Sequence, residues 1–338
     1  MTQPSDPFLT GNLPGIGGQI RTVPEDFHVE ERPLYLPCGE GEHLYVTITK
    51  RGLSTPDLVR RLSSTLGVKA QAIGVAGLKD SRAVTTQMVS VQGISPEQIS
   101  RLRIDEAILN VQILGRHRNR LRTGHHAGNR FRLVIRNVAA HAAETVPAVL
   151  QQLSTRGVPN YFGPQRQGKA GDNYHVGAAL LHDTRRREKM NRATRIWYLN
   201  SYQSFLFNRI LARRIDHFDR VFVGDWAMKA DNSACFLVED TEKEQLRADR
   251  FEISPTGILF GSRVSWASGE PGQIEEAVIA EAGTTKDALT AAAKACGFRG
   301  ERRALRIPLA ELEWSLAGDT LTLSFRVPPG ADATSVLR

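Results

Sequence analysis

The segment DTLTLSFRV (319–327) alternates polar and apolar positions strictly, with Leu321, Leu323 and Phe325 on one face. Such a pattern is a half-buried strand, and a lone strand is not stable without a sheet to join. The chain before it offers none. From about His141 it is helix-rich, with HAAETVPAVLQQL, the long amphipathic RATRIWYLNSYQSFLFNRILARRI (192–215), IEEAVIAEAG and TKDALTAAAKAC separated by short irregular or β-like pieces. Matching strands lie at the opposite end. Gly15–Lys50 is β-like, and HLYVTITK (43–50) sets Leu44, Val46 and Ile48 against Tyr45, Thr47 and Thr49. The economical solution pairs the last strand with the N-terminal sheet and makes the middle an insertion. The expected class is α+β, and 338 residues suffice for two domains.

Within the N-terminal part a helix is predicted at STPDLVRRL. Thr55 is its expected cap, Pro56 its first helical position, Leu58, Val59, Leu62 and Leu66 its apolar stripe, and Gly67 its end. After the loop GLKDSRAVTTQ come a strand at TTQMVSV, a short helix from Ser95–Pro96, a strand at AILNVQIL and another at NRFRLVIRNV. GIGGQ near the start precedes no clear helix and reads as a flexible lead-in, not a phosphate cradle.

No apolar run approaches the roughly 18 residues of a membrane span. MTQPSDPFLTGN has neither a basic nor an apolar leader segment, so a cytoplasmic protein is expected. Cys38, Cys235 and Cys296 stand far apart in no metal-binding pattern, which disfavours disulfides and structural zinc. Forty-four basic against 36 acidic side chains leave +8, a modest excess whose distribution says more. Arg116, Arg118, Arg120 and Arg122 fall within RHRNRLR, near Arg101, Arg103, Arg130 and Arg132. Arg185, Arg186, Arg187, Lys189, Arg192 and Arg195 form a second cluster. Either alone reads as a solvated face; two arginine-rich clusters together favour nucleic acid.

Chemistry concentrates in a few segments. In VAGLKDSRAVTTQ (75–87), Asp80 taken by itself is a turn or capping residue; the alternative is a carboxylate held at a strand–loop junction among basic neighbours. PEDFHVEE puts Phe27 at a strand entry, as core or as a platform for a base. His125 and His126 in GHHAGNRFRL lack further ligands at metal spacing and read as a loop pair bonded to backbone. Asn129 there is a turn cap or an amide matched to a uracil edge. NYFGPQRQG reads as a turn packed by Tyr161 and Phe162, and Tyr202, Phe205 and Leu206 of SYQSFLFN read as helix core.

The ordered set PEDFHVEE, GEGEHLYVTITKRGLST, AGLKDSRAVTTQ, GNRFRLVIR, NYFGPQRQG, SYQSFLFN, PTGILFG, ERRAL and ATSVLR covers nearly the whole chain and resembles the tRNA pseudouridine synthase D family. The resemblance implies a pseudouridine synthase core, with a mixed, mainly antiparallel sheet and flanking helices, over 1–153 and 305–338. It implies a family-specific, helix-rich insertion over 154–304. The implied reaction isomerises uridine 13 of tRNA to pseudouridine; being redox-neutral and without a group donor, it calls for no cofactor and no metal. Asp80 is the implied catalytic carboxylate. Phe27, Asn129 and Phe131 would contact substrate, with Arg21, Lys79 and Gln87 in support. Relatives carry lysine where this chain has Arg21, and an aromatic where it has Asp332, so no aromatic contact is expected there. The expected partner is tRNA, with no membrane and no obligate protein partner. Two other readings differ in class: a non-catalytic RNA-binding protein, and a glycosidic-bond hydrolase, which needs a second placed carboxylate and a path for water.

Overall fold

A computed structural model describes residues 6–331 and 333–337, apart from the side chains of His182, Thr184, Arg186, Arg187, Ala333 and Thr334. Asp332 lies outside the described residues. The first half runs β1 (Gly17–Ile20), β2 (Phe27–Pro33), β3 (His43–Arg51), α1 (Thr55–Leu66), β4 (Ile73–Val75) and β5 (Val84–Gln92). It continues with α2 (Pro96–Ile99), β6 (Ile108–His117), β7 (His126–Val138) and α3 (Ala142–Arg156). Then follow β8 (Val158–Pro159), α4 (Asn173–His182), α5 (Thr184–Lys189), α6 (Arg192–Arg213), β9 (Trp226–Lys229) and β10 (Cys235–Leu237). The chain ends with α7 (Thr241–Asp249), β11 (Ile253–Leu259), α8 (Gly269–Glu281), α9 (Lys286–Ala295), β12 (Glu301–Ala304), β13 (Arg306–Ile307), β14 (Ala310–Ala317) and β15 (Thr320–Val327).

Two compact units divide the described residues. One comprises Pro14–Ala148 with Leu309–Ala331; the other comprises 6–13, Val149–Pro308 and 333–337. The first is built on one sheet in the order β14-β15-β7-β2-β5-β3-β6, with β1 on β7 and β4 on β5. Only the β2–β5 pairing is parallel, so the sheet is mixed and mainly antiparallel. β15 joins β7 with Phe325 opposite Phe131, which satisfies the C-terminal strand as expected. It does not come alone: β14 pairs with it as a hairpin partner, disguised in sequence by the exposed, charged run AELEWSLA of an edge strand. GIGGQ is likewise no free lead-in. Gly17–Ile20 pairs with β7, and at Gly18 (φ +98°) a Cβ would lie 2.7 Å from Ile135 Cγ2, a close approach only glycine permits.

In α1 the apolar stripe Leu58, Leu62 and Leu66 packs with Leu44, Val46, Ile48, Val89 and Val91. Gly67 closes the helix at φ +68°. The cap is Ser54, whose Oγ accepts from Asp57 N (3.2 Å), one residue before the expected Thr55. That shift frees the Thr55 hydroxyl for a tertiary role.

The second unit packs α4, α6, α8 and α9 around Leu180, Leu199, Tyr202, Leu206 and Ile210 against the sheet β10-β9-β11-β12, whose central β11 is buried throughout. β8 pairs antiparallel with β13, which brings the entry and exit of Val149–Pro308 side by side. The expected insertion, 154–304, falls inside that span. NYFGPQRQG forms a short 3-10 helix at Pro164–Gln167 instead of a β-turn, with Tyr161 buried beside it.

Candidate active site

The loop Ala76–Ala83 joins β4 to β5, and its backbone is tied down at Lys79. The Lys79 N–H donates to Thr55 Oγ1 (2.9 Å), and that hydroxyl donates to Gln87 Oε1 (3.0 Å). Thr55 begins α1 and Gln87 sits on β5; both are buried. The Lys79 side chain turns inward, pairing with Glu31 Oε2 (2.7 Å) and donating to Asn129 Oδ1 (2.9 Å). Glu31 Oε1 also accepts from Met88 N (3.1 Å). Groups from α1, β2, β5 and β7 therefore hold one residue in place, and the chain continues from it directly to Asp80.

Asp80 turns the other way and stays open to solvent, its side chain 37% exposed. One oxygen accepts from Arg82 N (2.9 Å), two residues on, and the other pairs with Arg21 Nη1 (2.8 Å). The turn reading holds and leaves the carboxylate open: the Asx-type bond fixes the rotamer, and the carboxylate still faces outward. Arg21 occupies φ +58°, a left-handed conformation that costs a non-glycine residue about 1 kcal/mol or more. Its guanidinium lies over the Phe27 ring, 4.1 Å from the centroid. Phe27 and Phe131 meet edge to face (5.9 Å), and Phe131 stacks on Phe325 (5.6 Å).

All seven expected residues, Arg21, Phe27, Lys79, Asp80, Gln87, Asn129 and Phe131, belong to this one unit. They divide by depth. Asp80 and Arg21 are accessible; Phe27 and Phe131 are 3% and 7% exposed; Gln87 is fully buried and braces Thr55. Asn129 turns its oxygen to Lys79, so its amide hydrogens are the groups it has uncommitted toward a partner. Glu31 and Thr55 were missed as site residues. Glu31 carried a signal: alternation puts it on the same face as Phe27 and Val29, a carboxylate at a core position that needs a buried cation. Lys50 is also fully buried, donating to Leu53 O; burial, with the nearby Lys79 charge, lowers its pKa to about 8. His126 lies beside Lys79 and Glu31; burial first, then the Lys79 charge, holds its pKa below the usual value. The His125 ring bonds Tyr35 Oη (2.7 Å) and not backbone.

The first basic cluster is partly spent on the protein itself. Arg116 donates to Ile94 O (3.1 Å), Arg118 pairs with Glu40 and Arg120 donates to Ile73 O; Arg122 makes no ion pair among the described residues. Of the second, Arg186 and Arg187 have side chains outside those described. Among the described residues no group of His, Cys, Asp and Glu gathers as metal ligands would, and no helix is long and apolar enough to cross a membrane.

The family model for tRNA pseudouridine synthase D (TruD) matches residues 7–188 and 187–338. A tRNA pseudouridine synthase D of Thermus thermophilus is 44% identical over 336 positions, covering 98% of this chain and 91% of its own. That of Syntrophotalea carbinolica is 40% identical over 390 positions, at 98% and 97% coverage. Among solved structures, a putative tRNA pseudouridine synthase D from Methanosarcina mazei superposes with a TM-score of 0.82 at 25% identity, over 97% of this chain and 94% of that one.

Proposed function

The chain belongs to the tRNA pseudouridine synthase D family, and from that premise we propose that Asp80 carries its reaction, the isomerisation of uridine to pseudouridine in tRNA, at uridine 13. The observation that carries this reading is the contrast along two adjacent residues: Lys79 locked inward by groups of α1, β2 and β7, Asp80 exposed on the far side of the same peptide. A carboxylate so held is preorganised toward solvent-borne substrate.

The reaction breaks the N1–C1′ bond, turns the uracil and joins C5 to C1′. Attack of Asp80 on C1′, its addition to the uracil, or its removal of a ribose proton all require an oxygen of Asp80 beside the extruded nucleoside. Carboxylate chemistry at an anomeric carbon has its physical parallel in retaining glycosidases. Extrusion costs on the order of a few kcal/mol, and one stacking contact returns roughly 1–3. The accessible planar group next to Asp80 is the Arg21 guanidinium over Phe27, so an incoming uracil meets that cation–ring stack, with Phe131 behind it. Asn129 contributes an amide donor to the base edge. Lys79 and Gln87 act from below, through the loop backbone.

On this reading Val149–Pro308 holds the family-specific insertion, the protein works in the cytoplasm where tRNA is matured, and no obligate protein partner is needed. The test is incubation with an unmodified tRNA transcript followed by position-resolved pseudouridine detection. Wild type is expected to modify position 13, and Asp80→Asn to abolish product while keeping tRNA affinity. Near-normal turnover by Asp80→Asn would refute the assignment.

A further inference from the structure

A cavity of about 460 Å³ opens between residues 35–36 and the loop after β6, lined by Tyr35, Leu36, His117, Arg120, Arg122 and His125 among others. Its size is that of a ligand site. Its aromatic wall is fixed by hydrogen bonds that the uridine chemistry does not use. His117 stacks on Tyr35 (5.2 Å, 27° between planes), and its Nδ1 accepts from Cys38 N (3.2 Å), which leaves the ring proton on Nε2. Tyr35 Oη and His125 Nδ1 form a second hydrogen bond in this wall (2.7 Å). Behind them Tyr45 is fully buried and donates to Asn119 O (2.9 Å). At Gly41 (φ +115°) a Cβ would sit 2.5 Å from the His117 carbonyl, so backbone closes against this wall from outside.

Among the described residues no acidic side chain lines the cavity, and Arg122 stands at it with no ion pair. A rigid aromatic stack, the His117 ring donor and an uncommitted guanidinium match one ligand class: an unstacked RNA nucleotide, with its base on the rings and its phosphate on arginine. The cavity also adjoins the catalytic loop. Gly124 N donates to Ala76 O (2.8 Å), and while His125 serves the cavity wall, His126 lies beside Lys79 and Glu31.

We propose that this pocket receives a second unstacked nucleotide of the tRNA and thereby registers which uridine reaches Asp80. The inference rests on the tRNA isomerase reading above. The experiment is a set of tRNA transcripts, each with one abasic nucleotide outside the target, assayed with wild type, His117→Ala, His117→Phe and Arg122→Ala. With wild type, one abasic position is expected to raise KM about tenfold, within what one base stack contributes. His117→Ala is expected to raise KM for intact tRNA about as much and to erase the abasic penalty. His117→Phe, which keeps the ring, restores it. Arg122→Ala, an exposed change with no fold to disturb, is expected to raise KM and to lower the salt slope of binding by about one. Absence of any abasic position whose penalty depends on His117, or an unchanged KM and slope for Arg122→Ala, overturns the pocket while wild-type turnover leaves the isomerase reading intact. Absence of wild-type pseudouridine sinks that reading itself.

Discussion

Replacing Thr55 by valine keeps the outline of the side chain and deletes one hydroxyl. That hydroxyl accepts from Lys79 N–H at 2.9 Å and donates to Gln87 Oε1 at 3.0 Å, with Thr55 1% and Gln87 0% exposed. Each buried group left without its partner costs about 1–3 kcal/mol, so two orphans set a ceiling of about 6 kcal/mol. The Gln87 amide has no route to water. The Lys79 amide has one, because its loop moves if the anchor is lost, and the expected stability loss is therefore about 2–3 kcal/mol. The same movement displaces Asp80, the next residue, and a shift of about 1 Å in a reacting group costs on the order of 10²-fold in rate. Single-turnover pseudouridine formation with saturating Thr55→Val on an unmodified transcript should thus fall by that factor, with tRNA affinity near wild type. Thr55→Ser, which keeps both hydrogen bonds, should recover rate and stability together. If Thr55→Val loses stability but turns over like wild type, the anchor is structural and does not position Asp80.

Glu31→Gln strands the Lys79 ammonium in a buried site, and a destabilisation of about 3–5 kcal/mol is expected by urea unfolding. Adding Lys79→Met should return most of it, and a cost below about 1 kcal/mol for Glu31→Gln would show the pair to be solvated. Arg21→Gly relieves φ +58° while losing a half-exposed ion pair, so stability should change by less than about 1 kcal/mol while turnover drops at least about tenfold; parallel losses would contradict a role at Asp80. Lys50 has its folded pKa lowered to about 8 from 10.5, so between those values the unfolded chain binds the extra proton and stability rises with pH. Lys50→Met should flatten that rise, and identical slopes for the two proteins from pH 8 to 10.5 would count against the lowered pKa of Lys50.

How much could be read in advance depended on the range of the interaction. Periodicity reports the face a residue turns to, and it placed β3, β7, β15, α1 and α6, along with the return of the last strand to the first sheet. It is silent on what stands opposite that face. GLKD singled out Asp80, yet nothing near it in sequence says that Lys79 meets Glu31 and Asn129, or that a threonine expected to cap a helix instead holds the Lys79 amide. A local rule allotted Thr55 to the helix end although Ser54, the better cap, stands beside it. What the Thr55 hydroxyl does instead is set by a partner 24 residues away. Residue types and the family resemblance pointed to a candidate carboxylate and to basic loops. Which side chains face a substrate and which are consumed inside was decided only when the sheet brought distant donors and acceptors together, because a buried polar group must be satisfied by whatever folding places beside it.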